Sequence, residues 1–255
     1  MFANLARHEK TPTNEMTVSR KSAQNRYVPP ASIQSMPLSE LMDFTGRSTT
    51  EIQKTFLNSG SDDDPTVFLA GDLRLLKHKS IAVIGARSVS VEGRARATRL
   101  ARELSTAGVV VSSGLAKGVD AAAHRAAIDA GGHTVGVIGT PLDKAYPVEN
   151  AALQQEIYKN HLLVSQFRIG QRTYQSDFPK RNRLMAALSD GSVIVEASDT
   201  SGTLHQATEC VKLGRWLFIL KSVVENEAVK WPQRFLSSPK TVVLTNVSDI
   251  LSRIG

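Results

Sequence analysis

One cysteine, Cys210, in 255 residues excludes an internal disulfide and a Cys-rich zinc site. No run approaches the roughly 18 consecutive apolar residues of a membrane helix. The N-terminus shows no apolar stretch of the signal-peptide kind, so a cytoplasmic protein without a membrane partner is expected. The common nucleotide fingerprints are also missing. "SGLAKG" at 113–118 lacks the Gly-Lys-Ser/Thr of a Walker A loop, and no G-x-G-x-x-G follows the first buried strand. Ordinary nucleotide hydrolysis and ordinary NAD binding are therefore unsupported. His205 and Glu209 have the spacing of two metal ligands on a helix, but no third ligand stands out, so neither a metal nor a cofactor is expected. There is no internal repeat.

What is present is an ordinary globular composition, 41% hydrophobic and 22% charged, with a formal charge of +7. The length suits one α/β domain with a small appendage, and the charge favours a polyanionic partner. The basic excess begins early: Arg7, Lys10, Arg20, Lys21 and Arg26 face only Glu9 and Glu15 in the first 26 residues. Residues 1–36 have no apolar period and read as an unstructured basic arm. Residues 37–64 read as two short helices around a turn at Gly46, a possible helix-turn-helix, with Ser48 and Glu51 at capping-box spacing. Leu41, Met42, Phe44, Ile52, Phe56 and Leu57 are its candidate core, and an acidic "GSDDDP" closes it.

From about residue 66 strands and helices alternate. "SIAVIG" (80–85), "GVVVSSG" (108–114), "HTVGVIG" (133–139), "HLLVSQF" (161–167), "GSVIVEA" (191–197) and "RWLFIL" (215–220) are continuous apolar runs, as in strands covered on both faces. Helices are expected near 92–107, 116–132, 149–159, 179 onward and 202–213. "KTVVLT" and "NVSDILSRI" add a strand–helix extension within 222–255. The pattern predicts a doubly wound, mostly parallel sheet, and ligands should bind outside its strands' carboxyl ends.

Glycines, hydroxyls and cations collect there: Arg87 and Ser88 after the first strand, Ser113, Gly114, Lys117 and Gly118 after the second, Ser201 and Gly202 after the fifth. The helix in "DFPKRNRLMAALS" poses a puzzle. Asp177 and Pro179 mark its start, and Leu184, Met185 and Leu188 share one face. Yet Lys180, Arg181 and Arg183 crowd its positive pole, where each cation costs about 0.3–1 kcal/mol. A bound anion would resolve this, and Arg87, Lys117, Lys180, Arg181 and Arg183 are expected to converge on a phosphate-rich ligand. Asp143, Tyr146 and Glu149 are expected to brace their loop, Asp120 to stabilise a helix start, His124 to be a core or surface histidine without a catalytic role, and Cys210 to pack in the core.

"AVIGARSVSVEG", "VVSSGLAKGVDAAAHRAA", "GHTVGVIGTPLDKAYPVEN", "FPKRNRLMAALS" and "VIVEASDTSGTLHQATECVKLGR" stand in the order and spacing of the DprA (Smf) family of bacterial DNA-processing proteins, and residues 65–221 resemble that family. The resemblance implies an extended Rossmann-like fold, a dimer that binds single-stranded DNA and loads the RecA recombinase, and no catalysis. It places Arg87, Lys117, Phe178, Lys180, Arg181, Asn182 and Arg183 in a DNA pocket, where cations neutralise phosphates and Phe178 stacks on a base. The chain departs from the family at "KSVVENEAVKWP", where a Gly/Ser-rich loop is usual, and the family's frequent C-terminal winged helix has no counterpart in the 35 or so residues that follow. The stretch "RNRLMAALSDGSVIVEASDTSGTLHQ" is also similar to the LOG-type phosphoribohydrolases, but His205 and Gln206 stand where those enzymes carry a catalytic glutamate. A sensor of a nucleotide-derived ligand is a further alternative.

Overall fold

In the run Ser80–Gly85, Ile81 and Val83 enter one hydrophobic cluster and Ala82 and Ile84 another. Neighbouring residues of a strand point to opposite faces, so this alternation is that of a sheet covered on both sides. The structure, a computed structural model, describes residues 27–56 and 64–255. Its elements in order are β1 (Gln34–Pro37), α1 (Leu38–Thr45), α2 (Thr50–Phe56), β2 (Thr66–Gly71), β3 (Ser80–Gly85), α3 (Val91–Thr106), β4 (Val110–Ser113), α4 (Val119–Asp129) and β5 (Thr134–Val137). There follow α5 (Ala151–Asn160), β6 (Leu162–Ser165), α6 (Asp177–Leu188), β7 (Gly191–Glu196), α7 (Thr203–Lys212), β8 (Trp216–Leu220), the single turn α8 (Lys221–Val224), β9 (Thr241–Leu244) and α9 (Ser248–Ile254).

Among the described residues the strands form one nine-stranded sheet, ordered β1-β2-β6-β5-β4-β3-β7-β8-β9. Pairing is parallel from β6 through β9. The chain winds outward from β3 through β4, β5 and β6, then returns beside β3 with β7 and winds the other way. The β3/β7 boundary is thus the topological switch point, where a crevice opens at the carboxyl edge. Residues of α3, α4 and α9 cluster on one face of the sheet, and residues of α1, α2, α6 and α7 on the other.

Two elements differ from the sequence expectation. Strands β1 and β2 form an antiparallel edge, with Gln34 opposite Leu69 and Phe68 opposite Ser165 of β6. The segment from Tyr27, expected to be part of an unstructured arm, is tied down. Tyr27 Oη donates to Leu142 O (2.7 Å) and accepts from Gln154 Nε2 (2.8 Å), and Tyr158 Oη donates to Val28 O (2.8 Å). The rest of that arm, residues 1–26, and residues 57–63, with Leu57 and most of the acidic stretch, lie outside the described residues.

The two N-terminal helices flank Gly46, whose φ of +66° is left-handed and suits glycine. Leu41, Met42, Ile52 and Phe56 are buried in the same cluster as the sheet. Arg47 locks this layer in place. Its guanidinium is bidentate on Asp190 (Nε–Oδ1 3.1 Å, Nη2–Oδ2 2.8 Å) and also donates to the carbonyls of Leu76 and His78. At the other end of the domain, the segment that departs from the family pattern is pinned by Trp231. That residue is fully buried, its indole donates to Ala197 O (2.9 Å), and Asp199 caps its backbone N–H (2.6 Å).

Candidate nucleic-acid interface

After β3 the chain turns through Ala86–Ser90, and Glu196 at the end of β7 holds that turn. Ala86 N donates to the Glu196 carbonyl (2.8 Å), while Ser90 N and Oγ donate to the two carboxylate oxygens (3.0 and 2.5 Å). The Ser90 hydroxyl also accepts from Gly93 N (2.9 Å), capping α3. Gly118, at φ +76°, presses against the carbonyls of Ala86 and Arg87, where a side chain would collide with backbone. Arg87 and Ser88 are thereby left exposed on the rim.

The Phe178 ring lies over Gly139, where an added Cβ would fall 2.7 Å from a ring carbon. Tyr146, 51% exposed, packs against it at 5.5 Å between centroids, and the Arg87 guanidinium lies 5.6 Å from it. Cation–π contact of this kind is modest, about 0.5–1 kcal/mol when exposed, so Arg87 is positioned rather than consumed. Among the described residues Arg87 pairs with no carboxylate. Phe178 forms part of the wall of three openings: a crevice of about 890 Å³ along the switch point, a small cavity of about 50 Å³ bounded by Arg87, Lys117 and Arg181, and a groove of about 590 Å³ beside Tyr146.

Arg181 is placed differently from the expectation of a free phosphate ligand. It is 6% exposed, and Nη1 donates to Gly114 O (2.5 Å) and Val137 O (2.9 Å), bracing the ends of β4 and β5. Its Nε donates to Asn182 Oδ1 (2.9 Å). Asp120, also buried, accepts from Gly114 N (3.1 Å) and Ala116 N (3.4 Å). Burial lifts the Asp120 carboxyl above its usual range while the positive charge of Arg181 pulls it back. The guanidinium still borders both the crevice and the small cavity, and it lies within electrostatic reach of Arg87, so two positive charges meet at the rim.

The five cations do not converge. At about 100° per residue on a helix, Arg181 points to the sheet while Lys180 and Arg183 face a separate groove with Thr55, Phe56 and Phe167. Each cation of α6 already has an internal counterpart. Lys180 pairs with Asp177 (3.4 Å), Arg183 with Glu209 (3.0 Å), and Arg181 with the strand-end carbonyls. The positive-pole puzzle is thus answered largely within the chain. Lys117 does reach the small cavity, but it is ion-paired with Glu149.

The hydroxyls and glycines also separate. Ser113 is fully buried and donates to Val83 O (2.7 Å), so it faces the sheet and not a ligand. Gly114 has its N–H on Asp120 and its C=O on Arg181. Ser201 and Gly202 line the crevice together with Asn182 and Ser88, but the Ser201 hydroxyl accepts from Thr203 N (3.1 Å), so part of that helix start is already satisfied.

His205 is exposed on the crevice wall, whereas Gln206 is fully buried with its amide 3.2 Å from Ser192 Oγ. Glu209 is engaged by Arg183 and Lys212, and no metal-binding group of three or more His, Cys, Asp or Glu residues occurs among the described residues. His124 and Cys210 are buried core residues. Asp143 Oδ2 accepts from Gly170 N (3.1 Å), a loop brace as expected. Sequence reasoning missed Glu196 as the anchor of the Arg87 turn and Gly139 as the floor under Phe178. A carboxylate at a strand end beside an exposed turn, and a glycine at the next strand end, were the available signals.

The model of the family described as DNA recombination-mediator protein A matches residues 50–255. The chain belongs to this family. It is 40% identical over 154 residues to the DNA processing protein DprA of Streptococcus pneumoniae, covering 60% of this chain and 54% of that one. It spans about half the length of the curated relatives it matches. The X-ray structure of DprA from S. pneumoniae superposes with a TM-score of 0.72 at 30% identity, over 87% of this chain and 74% of that one. A DprA structure from Helicobacter pylori, described for its single-stranded DNA binding mode, gives 0.67 at 29% identity, over 75% and 88%. The mostly parallel Rossmann-like sheet of the DNA recombination-mediator protein A family is therefore the fold of this chain.

Proposed function

We propose that this chain binds single-stranded DNA at the rim formed by Arg87, Phe178 and Tyr146, without catalysis, and acts in the cytoplasm as a dimeric recombination mediator that helps load RecA. The observation that carries the reading is the Arg87–Phe178 pair. An exposed guanidinium with no carboxylate partner among the described residues stands beside a partly buried ring, backed by the buried charge of Arg181. Cations neutralise phosphates and aromatic rings stack on bases of any identity. Lys117, and Lys180 and Arg183 in their separate groove, extend the positive surface; Ser88, Asn182, Ser201 and Gly202 add polar contacts along the crevice. The DNA-binding mode described for the H. pylori relative supports the same ligand.

Fluorescence anisotropy of a labelled strand of about 20 nucleotides across a salt series tests this. Tight, salt-sensitive binding that duplex competes for poorly is expected. Displacement by a mononucleotide with no strand binding would replace this reading with a nucleotide sensor, and release of free base with a hydrolase.

A further inference from the structure

The groove beside the rim has a composition the rim alone does not explain. Four aromatic rings border it: Tyr27, Tyr146, Tyr174 and Phe178. Tyr174 is 55% exposed, and with Tyr146 beside it at 51% the groove presents a cluster of exposed rings rather than a single one. Tyr27 is held fast through its hydroxyl, so its ring is a fixed wall. Two residues of its wall, Asp143 and Thr173, each carry a buried polar atom without a hydrogen-bond partner among the described residues, Oδ1 and Oγ1. Buried polar atoms are normally satisfied, and here an acceptor and a hydroxyl behind the groove's aromatic wall both lack a partner among the described residues.

That combination suits a flat, hydrogen-bonding ring. A phosphate is disfavoured beside the Asp143 carboxylate, and an aliphatic group would leave both polar atoms unpaired. We propose that this groove is a second nucleobase pocket, which takes a base of the strand held at the Arg87–Phe178 rim; the proposal rests on the single-stranded DNA reading. Phe178 and Tyr146 border both sites, so the strand passes from one to the other across the ring pair. Arg172, whose guanidinium lies 5.6 Å from the Tyr174 ring, and the exposed Lys144 supply positive charge for the connecting phosphates. The carboxylate at Asp143 only accepts hydrogen bonds. It favours bases that present an exocyclic amino group over thymine, which has no amino group and only the ring N3–H to donate.

Anisotropy titrations of Tyr174→Ala, Asp143→Asn and Phe178→Ala on strands of about 20 nucleotides decide the matter. Tyr174→Ala is expected to lower affinity about fivefold or more, the value of one stacked base. Asp143→Asn, which offers a donor as well as an acceptor, is expected to narrow the gap between oligodeoxycytidine and oligodeoxythymidine. Wild-type affinity in Tyr174→Ala beside weakened Phe178→Ala overturns the second pocket and leaves the rim intact. An unchanged base ratio in Asp143→Asn overturns the role of that carboxylate. Unchanged binding in Phe178→Ala and Arg87→Ala removes the rim reading itself. Competition by free deoxycytidine monophosphate that Tyr174→Ala abolishes, with strand affinity unaltered, assigns the pocket to a free nucleotide and overturns its place on the strand.

Discussion

The guanidinium of Arg181 fills the space a side chain at residue 114 would occupy. A Cβ on Gly114 would lie 2.5 Å from Arg181 Cζ, while the Gly114 carbonyl accepts from Arg181 Nη1 at 2.5 Å. Gly114→Ala is therefore expected to displace Arg181 from the ends of β4 and β5, lowering stability by about 1–3 kcal/mol, as overpacking does, and weakening strand binding with it. Gly202→Ala is the contrast. Nothing lies within 4 Å of that position and its φ is −59°, so its effect should stay within about 0.5 kcal/mol. Urea midpoints of the two variants check the pair.

Arg47 and Asp190 form a bidentate pair with the arginine side chain 6% exposed. Asp190 Oδ2 also accepts from Ser80 N at 2.8 Å. Removing one partner leaves the other uncompensated, and Arg47→Ala should cost about 3–5 kcal/mol. The loss should appear in chemical unfolding, with the salt slope of DNA binding unchanged in the protein that remains folded.

Lys117 and Glu149 form an exposed ion pair, and the hydrogen bond from Lys117 holds the Glu149 carboxyl below its usual range. A phosphate must compete with that carboxylate. Glu149→Gln should tighten strand binding and steepen its log–log salt slope by up to about 1, whereas Lys117→Ala should flatten the slope by a similar amount. Anisotropy at several NaCl concentrations reads both.

Complete burial pushes the His124 imidazole down to about 3. Its Nδ1 meets Thr134 Oγ1 at 2.6 Å and its Nε2 has no partner among the described residues. An unfolded chain takes up a proton near pH 6.5 that the native state refuses. The stability this group supplies is thus full above pH 6.5 and falls as pH drops toward 3, by at most about 1.4 kcal/mol per pH unit. His124→Asn should flatten that slope, measured as unfolding free energy against pH, whatever its absolute stability.

Much of the fold was legible because it is written locally. β3 and β8 match "SIAVIG" and the end of "RWLFIL", and α3 and α7 fall within a residue of the expected spans. The antiparallel edge was not legible. β1 is four residues, including Pro37 and exposed at both ends, and only its pairing with β2, itself held by β6, makes it a strand. Tyr27 gives the same lesson, since its partners Leu142 and Gln154 are more than 100 residues away.

The sequence by itself determined the alternation of strands and helices, the edge of the sheet at which the chemistry collects, and Arg87 and Phe178 as residues of that edge. Those follow from apolar periodicity and from parallel connections, which return each strand end to the same side. The tertiary structure alone decided which side each cation of α6 serves. Neighbours in "KRNR" diverge by about 100° per residue, so docking the Leu184 face on the sheet sent Arg181 to the carbonyls of Gly114 and Val137 and turned Lys180 and Arg183 to the other groove. Charge is visible in a sequence; the direction in which a packed helix presents it depends on what it packs against.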